Sequence, residues 1–305
     1  MSPSAALSDP IFRSYVAIVV AVLVIAGIVL LLLQFVFRIV LGGVWKTFRS
    51  WLWMAPLTAI FVFAGRVPFI VGATAVALLA VREFLRVSEL AADRLMSGAV
   101  YFGIILSGVA ASFGRDLAAV LALTIVFLLL VPVLRNRVEG QVRKISLGIL
   151  ASVLLGWMWG QLGLLANSPN PYGYLCFVIF ATEVTDVAAF IFGKIFGRRL
   201  LRSEISPRKT WEGALGALLV AMALPWLLRF SFPFFGAGQL LLTGLIVGLG
   251  GPLGDLSLSV LKRDFGTKDW SASIPGHGGV LDRIDSLIFV APLFMFMTAY
   301  YYPGR

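Results

Sequence analysis

Long apolar segments recur along the whole chain, and they constrain its fold more than any other feature. The first, Ser14 to Phe37, contains no charged residue. A helix needs about 20 mainly apolar residues to cross a hydrocarbon layer of roughly 30 Å. Further apolar runs lie at residues 51–65, 67–82, 98–114, 117–134, 145–166, 172–192, 214–230, 236–251 and 285–301. We therefore predict an all-α polytopic integral membrane protein with about 8–10 transmembrane helices.

Composition excludes several other classes of protein. Apolar residues make up 60% of the 305 residues, and only 13% are charged, whereas roughly 25% is usual in soluble domains. A soluble enzyme, a disordered chain and a collagen-like chain are therefore excluded. The single cysteine, Cys176, and the single histidine, His277, exclude an intramolecular disulfide framework, a multi-cysteine zinc site and a histidine-rich metal centre.

The positive charges predict how the chain is oriented. The net charge is +10, and in a ten-span arrangement 20 of the 25 Lys and Arg residues fall in loops on one side. Short loops rich in Lys and Arg stay on the cytoplasmic side of a membrane. We therefore predict a multi-pass protein of a cytoplasmic membrane with both termini on the opposite side. No nucleic acid partner is needed to explain the charge. The five remaining cations are Arg13, Arg66, Arg115, Arg229 and Arg305.

Acidic residues divide the chain into two regions of different character. Six lie before residue 182, Glu83 among them, and they are assigned to loops or to the ends of spans. The other nine lie between Glu183 and Asp285. We predict an N-terminal transmembrane scaffold over residues 1–171 and a C-terminal transmembrane catalytic region over residues 172–305.

The first polar block of the C-terminal region lies inside an apolar run. Glu183 and Asp186 are three residues apart, so they share one face of a helix. An ionised carboxylate at the bilayer centre costs about 2.5–3.5 kcal/mol on insertion scales, and such groups usually face a wet cavity or a cation. The alternative is that both lie at headgroup level and pair with Lys or Arg.

The second block, residues 206–213, immediately precedes an apolar run. Ser206, Arg208 and Lys209 supply hydroxyl and cationic donors that suit phosphate oxygens. A positively charged flank anchored at the interface by Trp211 would have the same composition. Both interpretations remain open for this block.

The third block, residues 254–285, combines glycines, acids and bases. Gly276, Gly278 and Gly279 surround His277, and glycine lets backbone N–H groups come close to an anion. Carboxylates are the hard oxygen ligands that Mg²⁺ takes, with phosphates and water completing its shell. We therefore predict phosphate chemistry and a metal site at three aspartates. The predicted ligands are Asp255, Asp282 and Asp285.

Residues 259–285, called the signature segment below, resemble the signature of the CDP-diacylglycerol synthase family, the phosphatidate cytidylyltransferases. That signature begins Ser-x-x-Lys-Arg, passes through Lys-Asp and ends Pro-x-His-Gly-Gly-x-x-Asp-Arg-x-Asp. Residues 206–213 resemble the family's Ser-Pro-Lys-Lys-Thr-Trp-Glu-Gly element, with Arg208 in place of one lysine. The chain departs from the family at Trp270, where a small serine is frequent, and at residues 187–190 after Asp186, which suggests a divergent branch.

The resemblance implies transfer of CMP from CTP to phosphatidic acid, with release of pyrophosphate and formation of CDP-diacylglycerol in the membrane. It also implies Mg²⁺ bound at Asp255 and Asp282, a monovalent cation such as K⁺ nearby, and a homodimer. His277 is expected to orient the glycine loop or to donate to a phosphate rather than to act as a base. The predicted catalytic residues are Asp255, Lys262, Arg263, Lys268, Asp269, His277, Asp282 and Arg283. The predicted substrate-binding residues are Asp186, Ser206, Arg208, Lys209, Gly276, Gly278 and Gly279.

Two alternative functions remain open at this point. In a transporter, Glu183 and Asp186 would form an intramembrane ion site. In a different CTP-dependent transferase, the acceptor would be another lipid phosphate, such as a polyprenyl or archaeal-type lipid. Sequence separates the second alternative poorly from phosphatidate, because contacts to acyl chains would be spread over apolar spans.

Overall fold

The computed structural model describes residues 1–38, 42–274, 276 and 278–302. These residues form helices joined by short loops and one two-stranded antiparallel sheet, β1 (Leu200–Arg202) and β2 (Ser206–Thr210). The helix from Gln141 continues through a π-helical stretch, Ser152–Met158. The helices are α1 (Pro3–Ser8), α2 (Pro10–Phe35), α3 (Gly42–Ala64), α4 (Arg66–Val87), α5 (Arg94–Ser112), α6 (Leu117–Arg135), α7 (Gln141–Ala151), α8 (Gln161–Leu165), α9 (Pro171–Phe196), α10 (Trp211–Leu227), α11 (Ala237–Asp264) and α12 (Leu281–Tyr301).

Nine helical segments in the described part of the chain are long and apolar enough to cross a membrane. They are α2 to α6, the continuous segment Gln141–Leu165, α9, α11 and α12. α10 coincides with the predicted span at 214–230, but its 17 residues extend only about 26 Å at 1.5 Å per residue. The predicted all-α polytopic membrane fold is therefore confirmed. α3 begins at Gly42, earlier than the predicted span, because the helix continues through the polar residues before that span.

Successive loops lie at alternate ends of the helical bundle. At one end, Asp93, just before α5, forms ion pairs with Arg135 at 2.6 Å and with Lys144 at 2.9 Å. At the other end, the Tyr172 hydroxyl donates to the carbonyl oxygen of Ser2 at 3.1 Å. This alternation agrees with the segregation of Lys and Arg in the sequence, while the side of the membrane that each end faces stays a prediction.

Helices α9 to α12 pack closely through small residues. A Cβ atom at Gly248 of α11 would lie 2.7 Å from a methyl carbon of Leu218 on α10. A Cβ atom at Gly254 would lie 2.5 Å from the backbone carbonyl oxygen of Asp285 on α12. Small residues allow the backbones of membrane helices to approach each other, and at Gly254 this brings the acidic part of α11 against that of α12.

The N-terminal region packs against the C-terminal region through α4. The ring of Phe84 on α4 lies 6.0 Å from the ring of Phe265 and 5.5 Å from that of Trp270. Trp270 is almost completely buried. The bulky side chain of Trp270 therefore fills the contact between α4 and the signature segment. The division into regions 1–171 and 172–305 stays a prediction.

Candidate active site

Acidic side chains from three helices converge at the end of the bundle that holds the signature segment. Asp186 lies on α9, Asp255 on α11 and Asp285 on α12. Asp186 is within electrostatic range of Asp255, and Asp285 is within range of both. Glu183 adjoins Asp186 on the same helix, as its spacing predicted. The close approach of α11 and α12 at Gly254 makes this convergence possible.

Cationic side chains lie among these acids. Lys209 of β2 forms an ion pair with Asp255, which also accepts a hydrogen bond from the Ser259 hydroxyl at 3.2 Å. Arg283 lies within electrostatic range of Asp186. Its Nε atom is buried and has no hydrogen-bond partner among the described residues. The guanidinium group therefore keeps a donor for an anionic ligand, because an unpaired buried donor is costly.

Asp282 makes hydrogen bonds through both carboxylate oxygens. Oδ1 accepts from Lys262 Nζ at 2.7 Å, and Oδ2 accepts from the backbone N–H groups of Trp270 at 2.9 Å and Gly279 at 2.8 Å. Gly278 has a φ of +81°, and a Cβ atom there would lie 2.8 Å from Asp282 Oδ2. Glycine at this position allows the carboxylate to hold the loop that precedes α12.

The carboxylates fit a divalent cation only in part. Across the described ranges, no group of three or more His, Cys, Asp or Glu side chains is already arranged to hold a metal ion. Mg²⁺ commonly uses one or two carboxylates together with waters and substrate phosphates, and Asp255 and Asp285, which interact electrostatically across the facing helices α11 and α12, are candidates for that number. Binding by Asp255 would require exchange of Lys209, and binding by Asp282 would require exchange of Lys262, so the role of each as a ligand stays a prediction.

The hairpin of β1 and β2 separates two adjacent cations that were predicted to act together. Lys209 is half-buried and reaches Asp255, whereas Arg208 is exposed on β2. Adjacent residues of a strand point to opposite faces, which explains the difference. Ser206 pairs with Arg202 across the hairpin. Within the described part of the chain, Lys209 is thus the one predicted hairpin residue with an ion pair to the acidic cluster formed by Asp186, Asp255 and Asp285.

The other predicted site residues lie in the last turn of α11 and along the loop between α11 and α12. Arg263 Nε donates to the carbonyl oxygen of Ile205 at 3.2 Å, and its Nη1 donates to that of Thr267 at 3.1 Å. Lys268 and Asp269 are exposed. Gly276 has a φ of +80°, a conformation that favours glycine. His277 and Pro275 lie outside the described residues.

Sequence analysis missed the contribution of Glu83, which it assigned to the hydrophobic scaffold. Glu83 is buried near the end of α4, where its carboxylate accepts hydrogen bonds from the backbone N–H groups of Val280 and Leu281 at 3.0 and 2.9 Å. It also accepts from the hydroxyls of Ser271 and Ser273. An acid directly after an apolar run, followed by the further apolar residues Phe84 and Leu85, is the signal that could have identified it.

Comparison of the sequence with those of known proteins identifies a family and several relatives. A family model described as "Cytidylyltransferase family" matches residues 45–301. That range includes Glu83, the hairpin and the whole signature segment.

Three curated relatives illustrate the similarity. The chain is 42% identical over 124 residues to a protein of Escherichia coli named "Uncharacterized protein YnbB", covering 41% of this chain and 42% of that protein. It is 35% identical over 179 residues to a protein of Staphylococcus haemolyticus named phosphatidate cytidylyltransferase, covering 58% of this chain and 67% of the relative. A protein of the same name from Staphylococcus saprophyticus is 32% identical over 223 residues, covering 71% of this chain and 84% of the relative.

Proposed function

Because the chain belongs to the cytidylyltransferase family, we propose that it transfers CMP from CTP to phosphatidic acid, forming CDP-diacylglycerol and pyrophosphate. The match over residues 45–301 confirms the predicted family. It also confirms that the chain is a nucleotidyltransferase, because cytidylyltransferases are enzymes of that class. The names of the two Staphylococcus relatives support phosphatidic acid as the acceptor.

The observation that supports the proposal most directly is the pairing of acids and bases from separate elements. Asp255 and Asp285 lie on facing helices, and Lys209 reaches Asp255 from the hairpin. Arg283 keeps a buried donor that has no hydrogen-bond partner among the described residues. Such a cluster offers carboxylates to a cation and fixed positive charge to phosphate oxygens. Reaction between a triphosphate and a lipid phosphate requires both.

The chemistry needs positioning and charge neutralisation more than proton transfer. The second pKa of an alkyl phosphate is about 6, so the phosphatidate oxygen is largely anionic at neutral pH. That oxygen attacks the α-phosphorus of CTP in line, a new P–O bond forms, and the bond to the β-phosphate breaks. The electron pair leaves with pyrophosphate. Lys209 and Arg283 are placed to reduce repulsion between the two anions.

We assign the metal to Asp255 and Asp285, while Asp186 contributes negative charge beside them. Mg²⁺ bound there would supply Lewis-acid polarisation and neutralise charge on the phosphates. K⁺ in the same region and a homodimer follow from the family resemblance alone. The charge distribution supports a site that faces the cytoplasm.

The test is an assay of purified protein with Mg²⁺, labelled CTP and a panel of lipid phosphates. With phosphatidic acid as the acceptor, we expect a labelled CDP-lipid and pyrophosphate to form in equal amounts. The variant Asp255→Asn should form neither product. Asp264→Asn, an exposed acid at the end of the same helix, is the matched control and should retain activity.

The same panel separates the proposal from its alternatives. If product forms only with a polyprenyl or archaeal-type phosphate, the acceptor is that lipid phosphate rather than phosphatidic acid. Absence of product with every lipid, together with ion flux in proteoliposomes that Asp186→Asn abolishes, would favour the transporter.

A further inference from the structure

The carboxylate of Glu83 binds a segment that lies almost 200 residues later in the chain. Its Oε1 atom accepts from the hydroxyls of Ser271 at 2.6 Å and Ser273 at 2.7 Å, and from the N–H of Val280 at 3.0 Å. Its Oε2 atom accepts from the N–H of Leu281 at 2.9 Å. The separations of 188 to 198 residues show that an N-terminal helix holds the loop of the C-terminal region.

Glu83 acts as the cap of α12. The first N–H groups of a helix have no partner within the helix, and Val280, at the position before α12, has an aliphatic side chain that cannot accept a hydrogen bond. Glu83 accepts from Val280 and Leu281 instead. A carboxylate at this end also interacts favourably with the helix dipole, and within the described residues Glu83 forms no ion pair.

The shape of the loop matches this carboxylate. A Cβ atom at Gly279 would lie 2.5 Å from Glu83 Oε2, so a side chain there would displace it. The N–H of Gly279 points to the second acid, Asp282, at 2.8 Å. The segment before α12 is thus held between Glu83 on one side and Asp282 on the other.

Resting on the proposed function, we propose that Glu83 is a positioning residue for CMP transfer, because it caps α12 from α4 and fixes the helical turn that presents Asp282, Arg283 and Asp285. Movement of this turn would shift Asp285 and Arg283 relative to Asp186 and Asp255, which lie on other helices. A misplacement of about 1 Å in an active site can reduce the rate roughly 100-fold.

Glu83→Gln is the first test, because the carboxamide has nearly the same size. Its NH₂ group must face either the N–H of Leu281 or that of Val280, and two donors repel. We expect kcat to fall 10- to 100-fold, while the KM for CTP changes less than threefold. Glu89→Gln, an exposed acid just beyond the same helix, should behave as the unchanged protein. Unchanged kcat in Glu83→Gln would overturn the proposal.

A coupled pair of variants separates positioning from general stability. Gly279→Ala alone should lose at least 10-fold in kcat, because its methyl group meets Glu83 Oε2. Glu83→Asp withdraws the carboxylate, so adding Gly279→Ala to it should cost less than threefold. Equal losses in both backgrounds would overturn the proposed contact. If Glu83→Gln fails to fold, the double variant Ser271→Ala, Ser273→Ala removes two of the four hydrogen bonds and should lower kcat with the same KM.

Hydrogen–deuterium exchange tests the cap without using activity. In Glu83→Gln, the amides of residues 279–282 should exchange at least 10-fold faster, while those of α6 stay unchanged. Unchanged exchange would overturn the cap. Faster exchange in a protein that makes no CDP-lipid would retain the cap and reject the proposed reaction instead.

Discussion

Lys262 and Asp282 form a buried ion pair, with 2.7 Å between Nζ and Oδ1. The partners come from α11 and α12, and the second oxygen of Asp282 binds the N–H groups of Trp270 and Gly279. Removing one partner of a buried pair leaves an uncompensated charge and typically costs about 3–5 kcal/mol. This pair therefore joins the two helices and the loop between them.

Lys262→Met should lower the midpoint of thermal unfolding and reduce CDP-lipid formation, because Asp282 would keep a buried charge without its cation. Thermal unfolding in detergent and the labelled-CTP assay measure the two effects. Arg202→Met, which removes an exposed cation of the hairpin, serves as the control. An unchanged midpoint in Lys262→Met would contradict the stabilising role of the pair.

The ligand assignment predicts different responses to Mg²⁺ among the aspartates. Asp255→Asn and Asp285→Asn should lose more than 100-fold in activity, and any residual activity should need more Mg²⁺. Asp282→Asn should lose activity without a change in the Mg²⁺ concentration for half-maximal rate, because backbone N–H groups of the loop hold its Oδ2 atom, whereas only side chains contact the oxygens of Asp255 among the described residues. A Mg²⁺ titration of each variant measures this concentration. A higher Mg²⁺ requirement in Asp282→Asn would show that Asp282 is a metal ligand after all.

Gly254→Ala should separate α11 from α12. The added methyl group would lie 2.5 Å from the carbonyl oxygen of Asp285, so the backbones must move apart and the acids with them. We expect a loss of at least 10-fold in activity together with a lower unfolding midpoint. Gly238→Ala is a matched control on the same helix, because a Cβ atom there meets no atom within 4 Å. Equal effects in the two variants would contradict the close contact.

Asp93 gives the protein a pH-dependent contribution to stability outside the site. Burial raises the pKa of its carboxyl group, but hydrogen bonds from Lys144, the N–H of Met96 and Arg135 outweigh burial and lower it from 3.8 to about 2. A lowered pKa in the folded state stabilises the protein above the unfolded value, and this stabilisation disappears as the pH falls from about 4 towards 2.

Asp93→Asn should therefore unfold at a lower temperature than the unchanged protein at pH 7, and the difference should shrink below pH 4. Thermal unfolding at a series of pH values measures it. Asp116→Asn is the control, because at the start of α6 this carboxylate accepts a backbone N–H and forms no ion pair with any residue that the structure describes. A difference independent of pH would contradict the charge-based explanation.

Single cysteines test the predicted orientation. In a Cys176→Ala background, Ser203→Cys in the hairpin and Ser8→Cys in α1 are both exposed, at opposite ends of the bundle. An impermeant thiol reagent added to intact cells should label Ser8→Cys, and it should label Ser203→Cys only in inverted vesicles. Labelling of both from the same side would contradict the topology.

Sequence patterns predicted the fold well because they report local properties. Hydropathy depends on each segment alone, so the spans were recovered, and the spacing of Glu183 and Asp186 correctly placed them on one helix. The sequence does not identify residues 206–210 as the strand β2, so it does not predict that successive side chains there point to opposite faces. In the sequence Lys209 and Arg208 are therefore equivalent, whereas among the described residues Lys209 pairs with Asp255 and Arg208 is exposed.

Contacts between distant segments could not be predicted in the same way. The hydrogen bonds of Glu83 and the packing of Trp270 against Phe84 join α4 to a loop far along the chain, and no local pattern specifies that pairing. Likewise, the engagement of both oxygens of Asp282 depends on the path of the loop. A list of acids in a signature cannot distinguish a metal ligand from a residue that holds the backbone.

The cap that Glu83 provides to α12 limits how relatives can be recombined. A chimaera that joins residues 172–305 to the first helices of another family member would retain every residue of the signature segment. Without an acid at the matching place on its fourth helix, it would leave the start of α12 uncapped. We therefore expect such a chimaera to keep the geometry of this turn only when the acid and the glycine that contacts it are transferred together.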